Sequence, residues 1–274
     1  MIVWVNGHLC GEENARVSPF DHGLLTGDGV FETLKVHDGQ PFAARRHLER
    51  LAFSAERMGL PMPDTADLRR AMAEVIVGNE LHGDARIRIT VTGGPSPLGS
   101  ERGGGEPLVV VAAGPIRPWP PTTEVVVVPW PRNERGALAG LKTISYGENV
   151  VALAYARERG ASEAIFANTV GNLCEGTGTN VFVGVGGRLV TPPLSSGCLA
   201  GVTRALVVEL TGAAEEDLPI ESLANAQEAF LTSTTREVQP ISAVDGRDLP
   251  AAPGPLTRAA ADAYAALVAR DADP

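Results

Sequence analysis

Lysine occurs only twice in this sequence, at Lys35 and Lys142, and all its other Lys/Arg positions are arginine. The distinction is chemical. A guanidinium keeps its proton in a protein, whereas a partly buried lysine can present a neutral amine that attacks a carbonyl. Lys142 lies in GALAGLKTISYGENVV, a small and weakly charged stretch ahead of a helix-like segment, where desolvation favours the neutral amine. A coding bias toward arginine that leaves two surface lysines would account for the same count, so the neighbouring motifs must decide.

Two of those motifs could bind an anion. LAGVTRALVVEL places Gly201, Val202 and Thr203 at a helix start, where unpaired amides and the positive end of the dipole attract phosphate. LTSTTRE follows an apolar strand with a run of hydroxyls that includes Thr234. Such residues also serve as plain helix caps. Glu175, in NLCEGTGTNVFV, reads as lying between an apolar strand and a Gly/Thr turn. It is either a turn carboxylate facing solvent or, in a pyridoxal enzyme, the group that keeps the ring nitrogen protonated so that the ring draws electrons.

The elements that must hold these residues follow from periodicity. IVWV before Asn6-Gly7 and GVFETLKV before Asp38-Gly39 read as strands entering turns. Helical spacing of Leu48, Leu51, Ala52 and Ala55 predicts a helix over 43–58, and a second runs over 67–79. ARIRITVT alternates strictly, with Arg86 and Arg88 on one face and Ile87 and Ile89 on the other. Residues 108–113 form an apolar strand, and the proline-rich stretch 114–122 reads as an interdomain linker. Beyond it come a strand in TEVVVVPW, a helix over 148–159, strands in EAIFAN, NVFVGV and RLVTPP, and a helix over 201–210. A helix-to-strand transition over 226–232 and a closing helix over 255–269 complete the series. Strands clustered between helices without regular alternation indicate an α+β fold, divided into residues 1–113, the linker 114–122 and residues 123–274.

Composition bounds the function. With 274 residues, 44% hydrophobic and 20% charged, the chain is an ordinary globular protein with room for two domains. Its formal charge of -10 and the lack of any Lys/Arg cluster argue against a nucleic-acid partner. Cys10, Cys174 and Cys198 form neither a CxxC pair nor a disulfide framework, which fits a reducing cytoplasm. No metal site is expected, and neither a signal peptide nor a membrane-length apolar run is read.

In order along the chain, SPFDHGLLTGDGVFETLKV, RRHLERL, AGLKTISYGENVVALAYARERGASEAIF, NLCEGTGTNVFV, RLVTPPLSSGCLAGVTR and AFLTSTTREVQPI resemble the class IV aminotransferases, the fold type IV pyridoxal 5'-phosphate (PLP) enzymes. The resemblance implies a small N-terminal α/β domain, a larger C-terminal domain with a barrel-like sheet, a cofactor cleft between them and a homodimer. It makes Lys142 the Schiff-base lysine and Glu175 the partner of the pyridine nitrogen. It gives Arg50, Val202, Thr203 and Thr234 to the phosphate, and packs Leu199 against the ring. Phe31 falls where some D-amino acid transaminases carry a tyrosine. The best-known D-amino acid transaminases carry an arginine where VTGGPSPLG here has Gly93, so the substrate carboxylate needs another cation, and Arg88 and Arg102 are the candidates. The implied activity is transamination between an amino acid, such as D-alanine or D-glutamate, and a 2-oxo acid, with (R)-amines as further donors. SPFDHG and VFET are also similar to the 4-amino-4-deoxychorismate lyases, and the branched-chain L-amino acid aminotransferases belong to the same family.

Overall fold

The alternating segments of the N-terminal third pair into one antiparallel sheet. β1 (Ile2–Val5), β2 (His8–Gly11), β3 (Gly29–His37), β4 (Gln40–Pro41), β5 (Ala85–Thr92) and β6 (Val109–Pro115) lie in the order β2-β1-β6-β5-β3-β4. Between them run the short α1 (His22–Thr26), α2 (Ala44–Met58) and α3 (Thr65–Gly78). Asp64 caps α3 by accepting from Ala66 N–H at 2.7 Å, and Gly59 ends α2 in the left-handed region, φ 65°. The apolar stripes of α2 and α3 bury Leu48, Leu51, Ala55, Leu68, Met72 and Val75 against Val30, Leu34, Ile87, Ile89 and Val91. This is the core that the alternation in β5 predicts.

The remaining elements form a second, mixed sheet. Its strands are β7 (Thr123–Val127), β8 (Glu163–Ala167), β9 (Leu173–Gly176), β10 (Asn180–Val185), β11 (Arg188–Thr191), β12 (Ala214–Glu215), β13 (Ala229–Ser233), β14 (Glu237–Val244) and β15 (Arg247–Asp248). The order is β12-β11-β10-β13-β14-β7-β8-β9, with β15 on β14, and the sheet curls into a half-barrel. The helices are α4 (Gly147–Glu158), α5 (Val202–Thr211), α6 (Glu221–Ala224) and α7 (Pro255–Arg270). Phe182 and Phe230, opposite one another on β10 and β13, stack at 4.8 Å between ring centroids. Four strands of this sheet lie outside the periodicity reading: β9 has four residues, β12 and β15 have two each, and β14 carries Pro240, which reads as a breaker. Glu175 therefore lies within a strand rather than after one, and the transition expected over 226–232 resolves into α6, a loop and β13.

The computed structural model describes residues 1–274 and divides into two units. The first is Met1–Arg117 with Leu141–Tyr146 and Ala272–Pro274, and the second is Pro118–Gly140 with Gly147–Asp271. The chain crosses over at Arg117/Pro118, within 114–122, although β6 runs on through Pro115. Leu141–Tyr146, which includes Lys142, counts with the first unit, whereas sequence order places it in the second.

Candidate functional site

Residues of the first unit converge on one face of β3. Register with β5 sets Phe31, Thr33 and Lys35 beside Thr90, Arg88 and Arg86, on the face opposite the helices. Leu141–Tyr146 runs along the start of β3: Phe31 N–H donates to Lys142 O at 3.0 Å, and Ile144 N–H to Gly29 O at 2.9 Å. Lys142 N–H donates to Ser54 Oγ of α2 at 3.2 Å. Position 29 has to be glycine, since a Cβ there would lie 2.7 Å from both Ile144 Cδ1 and Val91 O. With its backbone fixed in this way, Lys142 places Nζ 4.3 Å from the Phe31 ring centroid. Arg88 sets its guanidinium carbon 3.8 Å from the same centroid, and Tyr146 meets the ring edge-on at 5.3 Å. Lys142, Phe31 and Arg88 are thus brought together. Arg88 donates to Thr90 Oγ1 at 3.2 Å and pairs with no carboxylate.

Arg50 and Arg102 have other partners. Glu32 is the one charged residue on the helix-facing side of β3, and it is fully buried. Arg50 grips it with two hydrogen bonds, Nε to Oε1 at 2.6 Å and Nη2 to Oε2 at 2.8 Å, and His47 Nδ1 lies 2.8 Å from Oε2. Burial opposes the charge on Glu32, but Arg50 and His47 hold its carboxyl well below the usual range; burial pushes His47 down, so a neutral imidazole donates to it. Arg102 is locked to Asp28 at 2.5 and 2.7 Å and donates to Gly59 O at 2.8 Å. His22 completes that cluster, with Nε2 2.9 Å from Gly99 O and Nδ1 3.0 Å from Asp28 Oδ2. The Gly99 carbonyl and Asp28 raise the imidazole's pKa, and the Arg102 hydrogen bonds lower that of Asp28. Gly93 adds only a backbone link, its N–H donating to Asp28 O at 3.0 Å. Glu32 and His47 were missed in the sequence, yet the signal was there: Val30, Glu32, Leu34 and Val36 alternate onto the core face.

The second unit carries the residues expected to bind an anion. Glu175 Oε2 accepts the Leu199 amide at 2.8 Å, which joins β9 to the segment leading into α5. Leu199 O accepts Gly201 N–H at 2.8 Å and Asn180 Nδ2 at 2.9 Å. This turn delivers the chain to α5, whose N-terminal residue Gly201 provides no side-chain cap for Val202 and Thr203. The Thr203 hydroxyl is hydrogen-bonded to Tyr264 of α7. Thr234 stands half-buried in the turn between β13 and β14, and the neighbouring Thr232 Oγ1 is buried without a hydrogen-bond partner. Within this unit an uncapped ten-residue helix, an unsatisfied buried hydroxyl and a fixed carboxylate are groups that suit a phosphorylated pyridine.

The comparisons agree. A family model described as amino-transferase class IV matches residues 29–244. The chain is 32% identical to the D-alanine aminotransferase of Bacillus licheniformis, covering 94% of each chain. It is 30% identical to the aminodeoxychorismate lyase of Bacillus subtilis, covering 89% of this chain and 87% of that one. Among solved structures, the branched-chain aminotransferase of Thermoproteus uzoniensis with norvaline superposes with a TM-score of 0.90 at 32% identity, covering 98% of this chain and 94% of that one. The chain belongs to the class IV aminotransferases and is a PLP-dependent enzyme.

Proposed function

We propose that this aminotransferase moves the amino group of D-amino acids such as D-alanine or D-glutamate to a 2-oxo acid, with (R)-amines as slower donors, and that Arg88 holds the substrate carboxylate. The observation that carries the proposal is the setting of Arg88: stacked 3.8 Å from the Phe31 centroid, exposed, and paired with no carboxylate. A guanidinium in that state is accessible to an incoming carboxylate, with which its fork forms charge-assisted hydrogen bonds. Arg102 already has its carboxylate in Asp28, so the role falls to Arg88. The likeness to a D-alanine aminotransferase supports the choice of donor.

Bound PLP supplies an electron sink that makes the proton on the substrate's Cα acidic. The chain's residues do the rest. Lys142 Nζ would hold the cofactor and, once the substrate amine has taken its place, would carry the proton from Cα to C4'. Glu175 keeps the ring nitrogen protonated. The amides of Val202 and Thr203, together with Thr234, would hold the phosphate, with Arg50 beside it as a cation whose Nε and Nη2 stay on Glu32; Leu199 and Phe31 would confine the ring and the substrate.

The test is an amino-transfer assay with 2-oxoglutarate and D-alanine, D-glutamate, L-leucine or an (R)-amine, run beside 4-aminobenzoate formation from aminodeoxychorismate. Efficient transfer from D-alanine or D-glutamate is expected. The Arg88→Met variant should lose at least about tenfold in kcat/KM for them, as for a hydrogen bond to a charged group, and little for the (R)-amine. Transfer from L-leucine alone, or rapid 4-aminobenzoate formation without transfer from any D-amino acid, overturns the substrate assignment. An equal loss for acids and amines removes Arg88 from its role.

A further inference from the structure

Glu175 has a second neighbour in its own unit. Arg132 follows β7, and its N–H donates to Ala167 O at 2.7 Å, which docks the backbone at the end of β8. From there the guanidinium carbon lies 4.2 Å from the Phe166 ring centroid, and Nη1 donates to Asn149 Oδ1 at 3.0 Å and Glu148 Oε2 at 3.3 Å. These contacts fix the plane of the fork. Its Nε edge faces Glu175 Oε1 at 3.3 Å, yet this buried nitrogen makes no aligned hydrogen bond. Arg132 therefore acts on Glu175 as a charge and not as an aligned donor. Both side chains are mostly shielded, with 16% and 13% of their surfaces exposed.

We infer that Arg132 is a positioning residue for Glu175: it holds the carboxylate anionic and oriented, so that the proton shared between Glu175 and the cofactor's ring nitrogen rests on the ring. The inference builds on the ring-nitrogen role proposed for Glu175. Of the two ways to place that proton, one leaves a neutral acid beside a neutral ring and the other a carboxylate beside a protonated ring. A cation on the far side of the carboxylate stabilises the second. An opposite charge at this range changes a carboxylate's preference for its ionised form by on the order of tenfold or more. A protonated ring is the stronger electron sink, so the effect falls on the chemical step and not on substrate capture.

The test uses Arg132→Met and Arg132→Gln as neutral variants, Arg132→Lys as the charge-retaining one, and Glu175→Gln alone and combined with Arg132→Met. Each protein is loaded with PLP labelled with 15N in the ring, and the ring-nitrogen NMR shift is read with kcat, KM and the melting temperature of the cofactor-free protein. In the neutral variants the 15N signal should move toward the unprotonated position and kcat should fall on the order of tenfold with KM nearly unchanged. Arg132→Lys should restore much of both, and Arg132→Met should add nothing in the Glu175→Gln background. Arg132→Gln retains an amide for Asn149 and answers the question if the Met variant does not fold. A 15N signal unmoved by the neutral variants but moved by Glu175→Gln overturns the inference and leaves the reading of Glu175 standing; lowered melting temperature as the only effect makes Arg132 a structural staple. A signal that Glu175→Gln leaves in place removes the ring-nitrogen role itself.

Discussion

Replacing Glu32 by Gln removes the charge at the centre of the buried pair with Arg50 and leaves the shape almost intact. The two carboxylate oxygens receive Arg50 Nε at 2.6 Å, Arg50 Nη2 at 2.8 Å and the His47 imidazole at 2.8 Å. A glutamine offers one acceptor oxygen and sets an NH2 where the other oxygen was, so at least one of these donors loses its acceptor and Arg50 loses its counterion. Breaking one partner of a buried pair costs about 3–5 kcal/mol, and the 10% exposure of the Arg50 side chain argues for the lower end, about 3 kcal/mol. In a chain of this size that corresponds to a fall of roughly 6–12 °C in melting temperature, measured by calorimetry on the cofactor-free protein at pH 7. The pH dependence has a definite sign. The pKa of Glu32 is depressed in the folded state, so its contribution is complete above the unfolded-state value of about 4.3 and drains away as the pH falls toward the folded one. The gap between wild type and Glu32→Gln should therefore hold steady near neutrality and narrow in acid. A variant melting within about 2 °C of wild type at pH 7, or a gap that widens on acidification, would refute the reasoning.

Lys142→Ala should abolish the visible absorption that appears when the protein is incubated with PLP. A wild-type protein that stays colourless, or a variant that keeps the band, removes the amine from its role. The cluster of His22, Asp28 and Arg102 predicts a pH-dependent hold on the loop after β5. Because the Gly99 carbonyl and Asp28 raise the folded-state pKa of His22, the imidazolium's contribution is present below the usual value of about 6.5 and is lost as the pH rises through the raised one. Hydrogen exchange of amides 94–106, corrected for its intrinsic pH dependence, should accelerate above that point in wild type but not in Asp28→Asn. Identical profiles in the two proteins would dissociate the loop from the histidine.

What could be read in advance was what residue type and short-range spacing encode. Lys142 is singled out because amine and guanidinium chemistry differ, and the face carrying Arg86 and Arg88 because the side-chain period of a strand is 2. Glu32 was equally accessible, as a carboxylate at a core-facing position of an alternating strand, although an arginine in the second turn of the following helix gave no hint of being its partner. The place of Leu141–Tyr146 in the first unit was not legible, because its pairing with β3 is non-local. Likewise Pro240 disguised a central strand, because a breaker in sequence is tolerated where neighbouring strands supply the rest of the ladder.

The choice among arginines marks the limit most clearly. Arg50, Arg88 and Arg102 are chemically identical in the sequence, and any of them could bind an anion. They differ in what each already holds: Glu32 lies 18 residues from Arg50 along the chain, and Asp28 lies 74 from Arg102, whereas Arg88 has an aromatic face and a threonine hydroxyl but no acid. Arg88 is exposed and carries no counterion, so an arriving carboxylate can pair with it without breaking an existing ion pair. Residue type says which groups can bind an anion; only the fold says which of them is still short of one, and that shortage is what sets Arg88 apart as the anchor of the substrate.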